Sequence, residues 1–220
     1  MGYKVAKHYN ELAEKLNARW FSAVDPKWEL AFLPFNEQVA QDYVEEMFYC
    51  VEFAKTNRKI MMDNCLRAFE KEKLIKIGDV MGLWDVAHNY VSLEHHFGQN
   101  VWVHRKGATK AMTGEVGIIP GSQGTSSFIV KGLGNIHSFM SCSHGSGRKM
   151  GRKQAERELD LDKEKKFLDD QGIIHSIVEA SDLDEASGAY KDIHQVMENQ
   201  KDLVEITVEL KPLAVVKGKK

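Results

Sequence analysis

The sequence predicts an α+β protein, in which helices at the N-terminus are followed by a mostly antiparallel or mixed β region. Apolar residues in the first part of the chain recur at three- and four-residue steps, which is the period of an amphipathic helix. Later segments are β-branched, alternate in polarity and end at Gly, Asn or Pro, as strands do. Since the two kinds of segment are separated along the chain, they do not indicate alternating βαβ units.

The helical part is predicted over residues 1–75 and the β-rich part over residues 76–220, within one partial domain. A first helix is expected over residues 3–20, where Val5, Tyr9, Leu12, Ala13, Leu16 and Trp20 form an apolar stripe. A second and longer helix is marked by the stripe Val39, Tyr43, Met47, Val51 and Ala54. A further helix is expected near residues 64–73.

Strands are predicted in five later segments: NVWVHRKGAT, GEVGIIPGS, SSFIVKGLG, GIIHSIVE and DLVEITVELKPLAVVKG. Two helical segments are expected among them. The first is a charged stretch over residues 151–170, and the second is a short helix at the end of DLDEASGAYKDIHQVMENQ.

Composition excludes several classes of protein. The formal charge of −2 on 220 residues is not that of a globally basic nucleic-acid binder, so contacts to phosphates must come from local clusters. Three cysteines at unrelated spacings favour a reducing compartment over a disulfide framework. No apolar run approaches the roughly 18 residues that span a bilayer. These observations predict a cytoplasmic protein without a membrane partner.

The segment IPGSQGTSSFIVKGLGN is rich in glycine and hydroxyl residues. Successive backbone N–H groups in such a loop can bind one anion, most naturally a phosphate or sulfate. The loop that would expose such N–H groups, together with hydroxyls, contains Pro120, Gly121, Ser122, Gly124, Thr125 and Ser127. Neither GxxxxGK(S/T) nor GxGxxG is present, so a tight turn between two strands is an alternative interpretation.

The stretch SFMSCSHGSGRKMGR places His144 among glycines and basic residues. A neutral imidazole nitrogen can attack a phosphorus centre, while arginines neutralise the developing charge. Arg148 and Arg152 are four residues apart and are expected to share a helix face. The pattern therefore suits phosphoryl or nucleotidyl transfer. The alternative is a histidine that caps a surface helix with a solvated basic face.

Two other segments carry chemically versatile side chains. DVAHNYVSLEHHF contains His88, Glu94, His95 and His96, of which one is a plausible ligand of a divalent metal. A helix would bring His88 and His95 onto one face, whereas a strand would separate them. In VHRKGATKA, the basic residues Arg105, Lys106 and Lys110 suggest part of a polyanion-binding track or a solvated surface.

Six blocks of the sequence together resemble the RtcB-type RNA-splicing ligases, a family that joins RNA ends with GTP and manganese. They follow the family's order over nearly all of residues 84–218: HNYVSLEHHFG, VHRKGAT, GIIPGSQGTSSFIVKGLGN, SCSHGSGRKMGR, AYKDI and LKPLAVVKG. The preceding helical segment also fits the family. The resemblance implies that this chain is the C-terminal part of the RtcB fold.

The resemblance implies a reaction for His144. This residue matches the histidine that attacks the α-phosphorus of GTP and carries GMP as a phosphoramidate. The GMP then passes to an RNA 3′-phosphate, and the 5′-hydroxyl of a second RNA end displaces it; 2′,3′-cyclic phosphates are opened first. The expected partners are GTP and RNA ends, such as tRNA halves or broken RNA.

Other residues match the family's binding positions. His88 matches a manganese ligand, with Asn89 beside the nucleotide. The loop around the guanylate corresponds to Pro120, Gly121, Ser122, Gln123 and Ser127, and the turn that holds its phosphate to Gly145, Ser146 and Gly147. Tyr190 matches an aromatic ring near the guanine, and Lys217 matches the lysine that recognises the guanine base. Phosphates of RNA or nucleotide are expected at Lys106, Arg148 and Arg152.

The chain departs from the family pattern in its metal ligands. Family members are nearly twice as long, and their N-terminal half supplies an Asp, a Cys and two further histidines, in motifs that do not occur here. His88 alone cannot hold a catalytic manganese tightly. We therefore expect this chain to supply the nucleophile half of a GTP- and Mn-dependent ligase, with a separately encoded N-terminal half as partner. The alternatives are a nucleotide- or RNA-binding remnant and an inactive truncated fragment.

Overall fold

The computed structural model describes residues 1–20, 25–28 and 30–216. Helices come first and mainly antiparallel strands follow, so the predicted α+β fold is confirmed. The chain divides into two compact units, Met1–Val91 and Ser92–Lys220. Within the described ranges, no helix combines the length and the apolar character that a membrane span requires.

The first unit is built on two helices, α1 (Gly2–Arg19) and α2 (Gln38–Lys71). One face of α1 is buried at the three- to four-residue spacing that the sequence predicts. The ring of Tyr9 packs against Tyr43 of α2, with ring centroids 5.3 Å apart. The Tyr9 hydroxyl donates to Glu46 at 3.1 Å. The two apolar stripes therefore stabilise each other.

The separate helix expected near residues 64–73 is wrong, because α2 continues without a break to Lys71. The segment KTNRK interrupts the apolar stripe. It contains neither Pro nor Gly, so none of its residues breaks the helix. α2 has 34 residues and α1 has 18. As a result, apolar residues late in α2, including Met61 and Phe69, remain exposed.

The second unit consists mainly of short strands. Their bounds are β1 (Asn89–His96), β2 (Gln99–Lys106), β3 (Ala108–Lys110), β4 (Val116–Ile119), β5 (Ser127–Gly132), β6 (Ser141–Ser143), β7 (Ile174–His175), β8 (Val204–Leu210) and β9 (Ala214–Val215). β1 begins in the last residues of the first unit. β1 pairs with β2, β3 with β6, and β5 lies between β4 and β8 in an antiparallel sheet; β7 and β9 are parallel.

Three short helices lie among these strands: α3 (Arg152–Glu158), α4 (Leu161–Asp169) and α5 (Ile193–Glu198). The charged stretch predicted over residues 151–170 is therefore helical, but it is divided. The side chain of Asp160 accepts a hydrogen bond from the N–H of Lys163 at 3.1 Å and begins a new helix.

Arg148 and Arg152 do not share a helix face, so this expectation is wrong. α3 begins only at Arg152, after Gly151 in an extended conformation. The residues before it lie along a neighbouring segment, because Lys149 and Met150 donate their N–H groups to the carbonyl oxygen of Ala189 at 2.9 and 3.3 Å. Those bonds replace the helical ones.

The core of the second unit forms beneath the β4–β5–β8 sheet. Its main cluster contains Ala111, Ile119, Phe128, Val130, Cys142, Ile193, Met197 and Val204. Apart from Ala111, which follows β3, these residues come from strands β4, β5, β6 and β8 and from helix α5, so the core joins the sheet to the strand that precedes His144. A second cluster, Leu168, Ile173, Ile177, Leu183 and Ala186, packs around α4.

Candidate functional site

His144 lies directly after β6, and the pairing of β6 with β3 determines where it is held. The register of this antiparallel pair is Ala108 to Ser143, Thr109 to Cys142 and Lys110 to Ser141. One step further along the same ladder, Gly107 lies opposite His144. The β3–β6 pair thus connects the VHRKGAT and SCSHGSGRKMGR segments that the sequence analysis treated separately.

Gly107 gives the His144 ring room beside the backbone. Its φ is +73°, a conformation that side-chain-bearing residues rarely adopt. A Cβ atom on this residue would lie 3.5 Å from Cε1 of His144 and 3.6 Å from Nδ1. Nδ1 itself is buried. The imidazole is therefore half-buried and packed in place, rather than free on a surface helix.

The two glycine-rich segments contact each other. The N–H of Ser146 donates to the carbonyl oxygen of Pro120 at 3.1 Å, and the Ser146 hydroxyl donates to that of Gly121 at 3.4 Å. A Cβ atom on Gly145 would lie 3.1 Å from the Pro120 oxygen, so this close approach favours glycine. The loop of residues 120–127 and the turn of residues 143–147 are therefore one connected structure.

The sequence suggested that backbone N–H groups of the 120–127 loop form an anion-binding nest. In the structure, several of these groups are already hydrogen-bonded to protein hydroxyls. Gly121 donates to the Ser127 hydroxyl at 3.2 Å, and Ser122 donates to that of Thr125 at 2.7 Å. By contrast, Oε1 of Gln123 is buried and has no hydrogen-bond partner within the described residues. A buried acceptor of this kind favours a ligand that brings an N–H donor.

Ser187 supports this loop and was missed by the sequence analysis. Its hydroxyl oxygen accepts hydrogen bonds from the Ser122 hydroxyl at 2.9 Å and from the N–H of Gly124 at 3.0 Å. Ser187 is only three residues before Tyr190 in the SGAY segment. That proximity was the one available signal, because the contact itself joins residues more than 60 positions apart.

Tyr190 lies beside the segment that follows His144. Arg148 and Tyr190 form an isolated antiparallel bridge, and the guanidinium lies 5.0 Å from the centre of the tyrosine ring. The N–H of Lys191 donates to the carbonyl oxygen of Gly147 at 2.9 Å. The structure thus brings together Tyr190, Arg148 and the glycine turn, three features that the sequence predicted separately.

Glu185 was not predicted, yet it links the two arginines. Its carboxylate accepts from Arg148 Nη1 at 3.1 Å and from Arg152 Nε at 2.9 Å, and it also accepts from the Tyr190 hydroxyl. Burial by itself raises the pKa of Glu185, but these hydrogen bonds and the two positive charges outweigh it and leave the pKa below its ordinary value. Burial and the bond to Glu185 raise the pKa of Tyr190.

Arg105 does not belong to a basic surface patch, because it is 2% exposed. Its Nη1 and Nη2 donate to the two oxygens of Glu94 at 2.6 and 2.9 Å, and its Nε donates to the Ser141 hydroxyl at 3.0 Å. Burial alone would raise the pKa of Glu94, but the hydrogen bonds from Arg105, Ser92 and His96 lower it to about 2. This network fixes β1 and β2 to the strand before His144.

The HNYVSLEHHF segment forms strand β1, so its histidines alternate between faces. His96 Nε2 lies 2.8 Å from Glu94, and His95 Nδ1 lies 2.9 Å from Oδ1 of Asn100. His88 and Asn89 are exposed and lie in the first unit, whereas His144 lies in the second. Lys106 is an exposed residue at the end of β2. Lys217 falls outside the described residues.

The side chains that the structure describes do not by themselves form a manganese site. In residues 1–20, 25–28 and 30–216, no group of three or more His, Cys, Asp and Glu side chains could hold a metal ion. Glu94 and His96 were candidate ligands in the sequence analysis. In the structure, Glu94 binds Arg105, and His96 binds Glu94. Further ligands would have to come from outside these ranges.

Cys142 is buried and is suited to packing, not to reaction. Its Sγ lies 3.2 Å from the Thr109 hydroxyl, and burial raises the pKa of its thiol. A thiol that stays protonated is a poor nucleophile.

Two grooves in the second unit lie away from His144. One, of about 350 Å³, is lined mainly by α5 and β8, including Met197 and Ile206. The other, of about 260 Å³, is bounded by the outer side of the 120–127 loop and by Lys211. Neither groove is lined by His144 or by the turn of residues 143–147.

Comparison with known proteins identifies the family. The family model described as tRNA-splicing ligase RtcB matches residues 1–218. The chain is 36% identical to the RNA-splicing ligase RtcB of Escherichia coli K12 over 222 residues. It is 35% and 32% identical to the tRNA-splicing ligases RtcB of Pyrobaculum aerophilum and Thermococcus kodakarensis. The chain belongs to the RtcB family.

These matches cover 99% of this chain, but only 53% of the Escherichia coli protein and 50% of the two archaeal ones. The chain thus spans about half the length of the curated relatives that it matches.

Proposed function

We propose that this chain supplies the nucleophile-bearing half of an RtcB-type RNA ligase, in which His144 accepts GMP from GTP and passes it to an RNA 3′-phosphate. The observation that carries the proposal is the packing of the His144 ring on Gly107, at the end of a strand pair that leads directly into two contacting glycine turns. The glycines of the 143–147 turn allow phosphoryl oxygens to approach the backbone closely.

The residues around His144 also suit a guanine nucleotide. The buried, unpartnered oxygen of Gln123 is an acceptor, and guanine carries N–H donors on its ring edge. The Tyr190 ring and the Arg148 guanidinium are joined to the turn that follows His144, so one offers a stacking surface and the other positive charge. These features favour a nucleotide over a bare phosphate.

The proposed reaction has three displacements at phosphorus. A ring nitrogen of His144 bonds to the α-phosphorus of GTP, and pyrophosphate leaves with the electrons of the broken P–O bond. An oxygen of an RNA 3′-phosphate then attacks the same phosphorus, and the histidine nitrogen leaves. Finally, the 5′-hydroxyl of a second RNA end attacks the activated 3′-phosphorus, loses its proton and releases GMP.

Manganese would stabilise the charge of these displacements when bound. Because the described residues of this chain do not form its site, we expect the remaining ligands from a separately encoded polypeptide that corresponds to the N-terminal half of the relatives. The partner proposed for this chain is therefore that half, in addition to GTP and RNA ends. Guanylylation should require both polypeptides.

The test is covalent labelling with GTP that carries ³²P at the α-phosphate, in the presence of manganese. The full chain is assayed alone and with the N-terminal half of the Escherichia coli relative. We expect acid-labile label only in the mixture, with none in a His144→Ala variant. His137→Ala is the matched control, since this exposed histidine lies outside the glycine turns and should leave labelling unchanged. Label at another residue would contradict the proposal.

A second function is favoured by the lack of a metal group in the described residues. The chain would then bind a guanine nucleotide or RNA without turnover, using the same glycine turns. Equilibrium binding of GMP to the chain, measured by calorimetry, separates the two functions. Binding that is lost in a Gln123→Ala variant, with no covalent label in any mixture, would support this alternative over the ligase.

A further inference from the structure

Glu185 holds the two arginines near His144 in very different ways. The Arg148 side chain is 24% exposed and has several protein partners: the carbonyl oxygens of Met150 and Asp184 at 2.9 and 2.6 Å, the Tyr190 hydroxyl at 3.1 Å, and Glu185. Arg148 is therefore fixed by the fold. Its ion pair with Glu185 is one contact among several.

Arg152 makes a single contact of this kind with the described residues, its ion pair with Glu185. Its side chain is 68% exposed, and its only hydrogen bond within the described residues runs from Nε to Glu185 at 2.9 Å. The two Nη atoms make no hydrogen bond to those residues. An exposed arginine with most of its donors open can bind a second anion, and the planar fork of the guanidinium matches the geometry of a phosphate.

We propose that Glu185 is a positioning residue that occupies the place of an RNA phosphate on Arg152, and that RNA binding exchanges this carboxylate for a phosphate. The inference rests on the proposed function and adds to it an internal competitor for RNA. Glu185 acts through Arg152 and does not itself contact the reacting atoms.

The exchange is energetically plausible because Glu185 keeps other partners. When Arg152 moves to a phosphate, the carboxylate can retain Arg148 and the Tyr190 hydroxyl, so no charge is left without a partner. The contact that breaks is an exposed ion pair, a class that contributes little free energy in water. A bidentate arginine–phosphate contact is stronger than the single bond that it replaces.

The test measures binding of a fluorescein-labelled single-stranded RNA with a 3′-phosphate to the full chain, by anisotropy at several salt concentrations. Glu185→Gln removes the competing charge and should tighten binding about two- to fivefold at low salt. The number of phosphate contacts is the same in both proteins, but the gain should shrink as salt screens the charge that was removed, so the slope of log K against log salt should become slightly steeper. A residue that only stabilised the fold would weaken binding and leave the slope unchanged.

Asp170→Asn is the matched control. Asp170 forms an exposed ion pair with Lys166 at 2.8 Å, and its neutralisation changes the net charge by the same amount. It should leave the affinity and slope close to those of the wild type. The gain in Glu185→Gln should disappear when Arg152→Ala is added.

Each outcome decides the inference. Tightening in Glu185→Gln that depends on Arg152 supports it; an equal effect in Asp170→Asn, or a gain that persists without Arg152, overturns it. Absence of RNA binding in both the wild type and Glu185→Gln also overturns it, while labelling of His144 by GTP still decides the proposed function. If circular dichroism shows that Glu185→Gln does not fold, Arg152→Ala alone replaces it: the inference requires that this variant weaken RNA binding, and an unchanged affinity overturns it.

Discussion

The second unit contains two clusters of glutamate and arginine that differ in burial. Arg105 is 2% exposed, and its hydrogen bonds go to Glu94, to two serines and to one backbone oxygen. In the other cluster, the side chain of Arg152 is 68% exposed and, among the residues that the structure describes, bonds only to Glu185, which is 32% exposed. The chemical groups are the same, but only the second cluster can exchange partners with a ligand.

The difference shows how one kind of ion pair can serve as scaffold or as binding surface. The Glu94–Arg105 pair cannot separate without leaving a buried charge, so it fixes the strands that lead to His144. The Glu185–Arg152 pair is screened by water and separates at small cost. Distance alone does not distinguish them, since their shortest contacts are 2.6 and 2.9 Å.

The largest effect is expected for Glu94→Gln. This variant leaves the buried Arg105 without its counter-charge, so the free energy of unfolding should fall by about 3–5 kcal/mol in urea titrations. Glu205→Gln, at an exposed position on β8, is the control and should change it by less than about 0.5 kcal/mol. A loss below about 1 kcal/mol in Glu94→Gln would mean that the two clusters do not differ as described.

The contribution of the Glu94–Arg105 pair to the free energy of unfolding should also depend on pH. The pKa of Glu94 is lowered from 4.5 to about 2 in the folded protein, so its stabilising contribution is complete above pH 4.5 and is lost as the pH falls through about 2. The shift corresponds to about 3 kcal/mol.

Urea unfolding between pH 6 and pH 2 measures this contribution. A Glu94→Met/Arg105→Met double variant, which replaces the pair by apolar side chains, should lose less stability over that range than the wild type. Parallel curves for the two proteins would show that Glu94 does not carry the acid sensitivity.

Gly107→Ala tests the packing beneath His144. Its positive φ makes alanine unfavourable by about 1–2 kcal/mol, and the new methyl group would touch the imidazole. We expect this loss in the free energy of unfolding and a reduced rate of His144 labelling in the mixture described above. Gly98→Ala is matched to it, because Gly98 has a φ of +78° with no atom within 4 Å of the added Cβ. Gly98→Ala should lower the free energy of unfolding by a similar amount and leave the labelling of His144 unchanged.

The smallest effect is expected for Glu185→Gln on stability. Because this carboxylate is partly exposed and its neutral amide can still accept a hydrogen bond, the free energy of unfolding should fall by about 1 kcal/mol or less. Urea titration alongside Glu94→Gln gives the comparison directly. A loss as large as that of Glu94→Gln would make Glu185 part of the scaffold.

The order of helices and strands could be predicted because periodicity is a local property. Strands β2, β4, β5 and β8 lie where alternation and terminal Gly or Pro residues predicted them, whereas β1 and β6 lie outside the five predicted strand segments. The uninterrupted α2 was not predicted, because a gap in the apolar stripe looked like an end although no residue in it breaks a helix.

The candidate site was predictable only where one short motif contains it. His144 and its glycines stand together in the sequence, and their contact with the Pro120 turn followed from the resemblance. Glu185 and Ser187 were missed because their contacts with the arginines and with the 120–127 loop join residues 33 to 65 positions apart. Arg105 was misinterpreted for the same reason, since its burial depends on a carboxylate on the neighbouring strand.

The segment of residues 111–140, which connects β3 to β6, has a practical consequence for protein engineering. The chain leaves β3 and returns to β6, and a 2.7 Å hydrogen bond from the N–H of Ala111 to the oxygen of Met140 joins the two ends. The turn around Gly114 is joined to the end of β5, because the N–H of Gly114 donates to the oxygen of Gly132 at 2.9 Å and the N–H of Gly132 donates to that of Glu115 at 2.8 Å. A fluorescent tag or epitope inserted there would break these backbone bonds close to β3, so a tag that is meant to leave the register at His144 unchanged belongs elsewhere in the chain.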